Sequence, residues 1–262
     1  MINESRTKIS IITVSYNAVK TIENTILSVI NQTYSCIEYI IIDGGSTDGT
    51  VDIIRKYENK ISYWISEPDK GIYDAMNKGI QKATGKWLNF MNCGDTFYNN
   101  KVISDIFENR IYKDIDVIYG SSQIKDEKGN IFNSYSNGNV EQLRFEPIYR
   151  HGASFVRTNI HKQYLFDLNK IPQIGYALDY DVIYRLYKDN RQFKRVEYFI
   201  LIYEENGVSN HPIRSRYYVY KITSESKFSF IHFKFLLNCI FNYYILVCKK
   251  NIISLLKYLN VK

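Results

Sequence analysis

Polar and acidic residues recur where the apolar runs of this chain stop. "ISIITVSYN" ends at Tyr16-Asn17, "IEYIIID" ends at Asp43, "ISYWIS" leads into Glu67-Pro68-Asp69, and "KWLNFMN" leads into Asn92-Cys93-Gly94-Asp95. An acid at the carboxyl end of a strand can accept a hydrogen bond from a base or ribose, and a neighbouring glycine lets a ligand approach the backbone. Taken singly, such an acid is more simply a turn former or helix cap. Four of them on one sheet edge point to a ligand site. The turn in "FMNCGDTF" could hold a metal-bound phosphate, yet it carries a single carboxylate, Asp95, and no second acid. Farther along, Asp179 and Asp181 in "ALDYDVIYRLYKDN" lie two apart at the start of a predicted helix, so they cannot share one helical face.

The elements that would position these residues alternate regularly. The first run is rich in β-branched residues and reads as a buried parallel strand. Thr21 to Gln32 places Ile22, Ile26, Val29 and Ile30 at helical intervals. The second strand enters "GGSTDGT", where Ser46, Thr47 or Asp48 can cap a helix from Val51 to Tyr57. The third is followed by a helix with Met76, Ile80 and Ala83 on one side, and the fourth enters the Asp95 turn. This pattern predicts an α/β fold, a mostly parallel sheet with helices on both faces. From about Asp116 the pattern changes to a hairpin around Lys128-Gly129-Asn130, a strand in "RHGASFVRT" and the helix containing the Asp179/Asp181 pair.

Several functions are disfavoured. No GxGxxG follows the first strand and no GxxxxGK[ST] occurs, which argues against a dinucleotide fold or a P-loop. Cys36, Cys93, Cys239 and Cys248 lack the paired spacings of a zinc site or a redox dithiol. The N-terminus has no apolar secretory run before the first strand, so a cytosolic protein is expected. The formal net charge is +7, but residues 213–262 carry nine Lys or Arg against Glu225 alone, leaving the first 212 residues nearly neutral. That placement argues against nucleic-acid wrapping and for a local electrostatic contact.

The segments "TVSYNAVKTIENTILSVINQTY", "IEYIIIDGGSTDGT" and "SEPDKGIYDAMNKGIQKATGKWLNFMNCGD" resemble the successive nucleotide-binding motifs of the inverting family 2 glycosyltransferases of GT-A fold. The resemblance covers roughly residues 8 to 96, with weaker echoes to about residue 209. It implies transfer of a hexosyl residue from a nucleotide sugar, usually UDP-linked, to a glycan or lipid-linked acceptor of a surface polysaccharide. It implies nucleotide-sugar contacts from Tyr16, Asn17, Asp43, Asp69, Lys70, Asp74, Asn77, Asn92 and Gly94. Asp95 would match the acid that binds Mn2+ or Mg2+, with Asn92 and Gly94 standing where the family's turn usually has further acids. Such ions keep waters and take oxygens from substrate phosphates, so one carboxylate can suffice. "HGASFVRT" resembles the acceptor-side strand, with His151 as an acceptor or phosphate contact or simply a packed strand histidine. "LDYD" resembles the pair that supplies the general base; the match selects Asp179, with Asp181 serving the helix dipole. "YEENGVSN" resembles the loop before the C-terminal segment.

Rival readings are a sugar-phosphate nucleotidyltransferase, for which "SYNAVKT" lacks the Gly-rich basic loop, and a nucleotide-sugar-binding module that has lost turnover. The expected organisation is a transferase domain over residues 1–212, with its nucleotide-binding part in 1–96 and its acceptor-side part in 97–212. Residues 213–262 would be a basic, aromatic-rich helical tail. That tail is too interrupted for a spanning helix. It suits the anionic inner face of a membrane or, as a plainer alternative, a helix pair packed on the domain or a homodimer contact.

Overall fold

The computed structural model describes residues 6–204, 212–225 and 227–259, with backbone alone for Pro212, Asn242 and 246–259. Most of the "YEENGVSN" segment lies outside the described residues.

Strands β1 (Ile9–Ser15), β2 (Ile37–Asp43), β3 (Tyr63–Ser66) and β4 (Trp87–Phe90) form the expected parallel unit in the order β3-β2-β1-β4. Between them run α1 (Ile22–Ile30), α2 (Thr50–Lys56) and α3 (Ile72–Lys82). β1 is buried along its whole length because both its faces are covered. Ile9 and Ile11 pack in the cluster of Ile22, Ile26 and Val29 of α1, while Ile12 and Val14 join Met76 and Ile80 of α3. The two-residue alternation of a strand thus feeds two apolar layers from one continuous apolar run.

Beyond β4 the sheet becomes mixed, which departs from the mostly parallel arrangement expected. β5 (Thr96–Phe97), β6 (Val117–Lys125), β7 (Ile131–Ser134), β8 (Ser154–Arg157) and β9 (Phe193–Glu204) continue the order as β4-β8-β6-β9-β5, with β7 on β6. β8 runs antiparallel to both β4 and β6, whereas β9 runs parallel to β6. Hairpins and short returns allow the antiparallel neighbours. The helices of this half are α4 (Val102–Phe107), α5 (Thr158–His161), α6 (Ile171–Ile174) and α7 (Leu178–Lys188).

α8 (Pro212–Thr223) and the start of α9 (Phe230–Leu259) belong to the same body. Tyr184 Oη donates to the Thr223 carbonyl at 3.2 Å, Arg216 pairs with Glu146 at 3.0 Å, and Phe145 packs between His232 and Phe235. These contacts seat α8 and the start of α9 against residues of the preceding 212. Among the described residues no helix is long and apolar enough to cross a membrane.

Candidate active site

The carboxyl ends of β1, β2 and β3 build one half of the cleft. Asp43 is fully buried. Its Oδ1 accepts from the Ser15 hydroxyl at 2.8 Å and the Ser46 hydroxyl at 2.6 Å, and its Oδ2 accepts from the Gly45 and Ser46 N–H groups and the Ser66 hydroxyl at 3.1, 2.8 and 2.7 Å. Burial alone would raise its pKa; the hydrogen bonds from Ser46, Ser66 and Ser15 outweigh it and hold the carboxyl below its ordinary value. A direct contact from Asp43 to a base or ribose does not match this geometry. The side chain instead ties three strand ends and the Gly44–Ser46 turn together.

What that turn presents is a narrow floor. A Cβ on Gly44 would lie 2.7 Å from Asp69 Oδ2 and 3.3 Å from the Tyr16 ring, so only glycine allows those two side chains to close over the backbone. Tyr16 is 67% exposed and available for stacking. Asn17 holds a left-handed φ of 47°, uncommon outside glycine, and is fixed there by accepting from the Thr47 N–H at 3.0 Å. Asp69 caps the Gly71 N–H at 2.7 Å and Asp74 the Lys70 N–H at 3.0 Å, which shapes the entry to α3. The Lys70 ammonium is exposed and pairs with no described residue.

Asn77 does not fit the nucleotide contact expected of it. Its amide donates to the Phe166 carbonyl at 2.9 Å and accepts from the Phe166 N–H at 3.0 Å. One turn earlier, Tyr73 Oη donates to the Tyr176 carbonyl at 2.6 Å. These two residues, four apart and on one face of α3, fasten the segment that leads into α7. They position Asp179.

Asp95 and Asp179 are two carboxyls that both feel the Arg150 charge. The Asp95 turn is closed by its N–H donating to the Asn92 carbonyl at 2.9 Å and by Gly94 at φ 100°. Thr25 braces it from α1, accepting from the Gly94 N–H at 3.1 Å and donating to the Asp95 carbonyl at 2.8 Å. Asp95 is 8% exposed, so it is a buried group and not a solvent-facing turn residue. Burial pushes its carboxyl up to about 7, opposed by the Glu204 backbone N–H and the Arg150 cation, with the Glu204 carboxylate adding to the rise. Burial likewise pushes Asp179 up to about 6, opposed by the Tyr180 N–H at 2.8 Å and again by Arg150.

Arg150 is the residue that sequence reasoning missed. Its guanidinium lies 4.3 Å over the Tyr203 ring, its Nε is buried without a hydrogen-bond acceptor among the described residues, and its charge acts on both carboxyls. A cation held by an aromatic face, with an unfilled donor, suits an anionic ligand. Its position beside "HGASFVRT" was the available signal.

Asp181 and His151 take other parts. Asp181 is buried and paired through Oδ1 to Lys170 at 2.8 Å and through Oδ2 to Arg185 at 3.0 Å, so it is a structural anion and not a base. His151 stacks on Phe90 at 5.1 Å between ring centroids and packs near His161 and Phe166. Burial lowers its pKa to about 3, so the ring is neutral and carries no charge for a phosphate or acceptor.

The donors near Asp95 fit a hard divalent cation in part. Asn92 Oδ1 is a buried oxygen without a hydrogen-bond donor, and a carboxyl raised by burial is one that a cation would stabilise. No cluster of three His, Cys, Asp or Glu that could hold a metal occurs among the described residues, so remaining oxygens must come from phosphate and water.

Residues 10–169 match the family described as Glycosyl transferase family 2. An uncharacterized glycosyltransferase of Mycobacterium tuberculosis is 43% identical over 101 residues, which is 38% of this chain and 38% of that protein. TuaG of Bacillus subtilis, named for teichuronic acid biosynthesis, is 38% identical over 97 residues, 36% of this chain and 38% of its own. The chain thus matches less than two-fifths of the length of these curated relatives. Among solved structures, S. aureus TarS 1-349 in complex with UDP-GlcNAc superposes with a TM-score of 0.62 at 17% identity, covering 84% of this chain and 66% of that one. The mannosyltransferase PcManGT from Pyrobaculum calidifontis, in complex with GDP-Man and Mn2+, gives 0.64 at 14% identity over 90% of this chain and 69% of its own. These likenesses show a shared GT-A fold. With the family match spanning the parallel unit, the Asp95 turn and Arg150, the chain belongs to glycosyltransferase family 2.

Proposed function

We propose that this chain moves a hexosyl residue, with inversion, from a UDP-linked sugar to a glycan or lipid-linked acceptor in surface-polysaccharide synthesis. The observation that carries the reading is the buried Asp95 turn within the family match, with the unfilled Arg150 donor whose charge acts on both Asp95 and Asp179. The UDP-GlcNAc bound by TarS and the pathway named for TuaG support the donor and product class.

Tyr16 stacks on the base, the Gly44 floor and Asp69 take the ribose side, and Lys70 and Arg150 face the diphosphate. Asp179 acts as general base: ionised near neutral pH, it removes the acceptor hydroxyl proton as that oxygen attacks the anomeric carbon from the side opposite the diphosphate. A pKa of about 6 suits this, close enough to neutrality to accept a proton yet ionised at pH 7.5. Asp95, with the Asn92 oxygen, would hold Mg2+ or Mn2+, which when bound supplies Lewis-acid neutralisation of the departing diphosphate. Arg150 adds fixed positive charge for the same leaving group.

The acceptor would be met at a membrane. Residues 227–259 contain five Lys and no acid, and Phe228, Phe230, Ile231 and Phe241 are exposed. Such a helix suits the anionic inner face of the plasma membrane.

The test is UDP release on mixing the protein with UDP-GlcNAc, UDP-glucose and UDP-galactose in MnCl2. Slow metal-dependent release from at least one supports the enzyme. Tight UDP binding with no release from any favours the non-catalytic binding module.

A further inference from the structure

A groove of about 540 Å³ opens beside the Asp95 turn, between α1 and the β6–β7 hairpin. Gly94 lines its inner end and Glu204, whose backbone N–H reaches the Asp95 carboxyl, lines the opposite wall. From this groove we infer a binding site for the body of an uncharged glycan chain, distinct from the nucleotide site.

The chemistry of the lining selects the ligand. Asn24 and Ser28 lie one turn apart on α1 with Asn31 at its C-cap, and Asn99 and Asn100 line the same groove from the segment after β5. The Asn24, Asn31 and Asn100 amides make no hydrogen bond to any described side chain or backbone group, so their donors and acceptors are open. Each amide offers both donor and acceptor atoms, as a sugar hydroxyl pair requires. The apolar Leu27 and Ile202 lie in the same lining and can pack against the C–H faces of pyranose rings. Among the described lining residues the only formal charges, Lys125 and Glu204, neutralise each other at 3.1 Å. A phosphate-bearing or uronic polymer would find no net cation there. A neutral one would.

This inference rests on the transferase reading, since it gives the acceptor's chain a place next to the reacting end. Saturation-transfer NMR on the full chain separates the two. The probes are maltohexaose, cellohexaose, chitohexaose and mannohexaose, with polygalacturonate and poly(glycerol phosphate) as anionic controls, and UDP with MnCl2 measured on the same samples. The expected result is saturation transfer to at least one neutral hexaose, weakened roughly tenfold in Asn24→Ala/Asn31→Ala through loss of a neutral hydrogen bond at each position, while UDP binding is kept. Alanine favours the helix at exposed Asn24, and Asn31 is the exposed C-cap residue whose side chain bonds no described group, so the fold is expected to persist and UDP binding reports it. If the neutral probes show no transfer, if the double variant binds them equally, or if only the anionic polymers bind, the glycan site is wrong. If UDP itself fails to bind, it is the transferase reading that fails.

Discussion

Replacing Asp179 and Asp181 one at a time by asparagine should separate chemistry from stability. The Asp179 carboxyl is lifted from the ordinary 3.8 to about 6 by burial. That lift corresponds to a penalty on the charged form of about 3 kcal/mol, and it acts at pH 7.5, where the group is ionised in both the folded and unfolded chain. The near-isosteric, neutral Asp179→Asn should therefore be no less stable and up to about 3 kcal/mol more stable at pH 7.5, while losing roughly 10²–10⁴-fold in transfer for want of a base. Asp181→Asn does the opposite. It leaves Lys170 and Arg185 without their anion, a change that costs about 3–5 kcal/mol when the pair is fully buried. The two cations keep 35% and 31% of their side-chain surface, and Arg185 retains its 2.7 Å bond to the Leu165 carbonyl, so the lower end applies. At roughly 2–4 °C per kcal/mol for a chain of this size, the melting temperature should fall by about 6–12 °C. Thermal unfolding and UDP release measured on both variants give the answer. Full activity in Asp179→Asn, or loss of activity in Asp181→Asn with an unchanged melting temperature, refutes the assignment.

The remaining predictions concern the other parts of the site. Gly44→Ala should weaken UDP binding with little change in melting temperature, because its Cβ displaces Asp69 and the Tyr16 ring; unchanged affinity by calorimetry counts against the Gly44 floor. Wild-type activity should fall as the pH drops through about 6, where Asp179 takes up its proton, and Arg150→Met should move that acid limb upward while lowering UDP affinity; a limb that stays put removes Arg150 from the site. Deletion from Phe241 onward should leave the packing of Phe145, Leu236 and α8 intact and keep UDP binding, yet reduce sedimentation with anionic vesicles, since each Lys near such a surface contributes ~1 kcal/mol. Aggregation of the truncated chain, or undiminished sedimentation, speaks for a packing or dimer role instead.

The parallel unit was readable because its signals are local: a β-branched run, a polar turn, a helical stripe, repeated. The same locality placed Tyr16, Asp69 and Asp95 on one edge. What escaped reading depends on contacts between distant segments. Asp43 looks like a ligand-facing acid until Ser15 and Ser66 arrive from neighbouring strands to enclose it. Asn77 looks like part of the nucleotide motif until Phe166, 89 residues later, takes its amide. Between Asp179 and Asp181 the resemblance had favoured Asp179, but the ion pairs that Asp181 makes with Lys170 and Arg185 come from contacts the sequence does not display. Arg150 gained meaning only once β9 brought Tyr203 beneath it and α7 brought Asp179 within its field. The mixed second half of the sheet was similarly hidden, because strand direction is set by connections and not by composition.

The most direct measurement is the configuration of the sugar released from an α-linked donor. Proton NMR of UDP-GlcNAc, UDP-glucose or UDP-galactose turned over in MnCl2 should show the β anomer appearing first, before mutarotation, and no release beyond background with Asp179→Asn. First appearance of the α anomer, or equal release by the variant, would contradict inversion driven by Asp179.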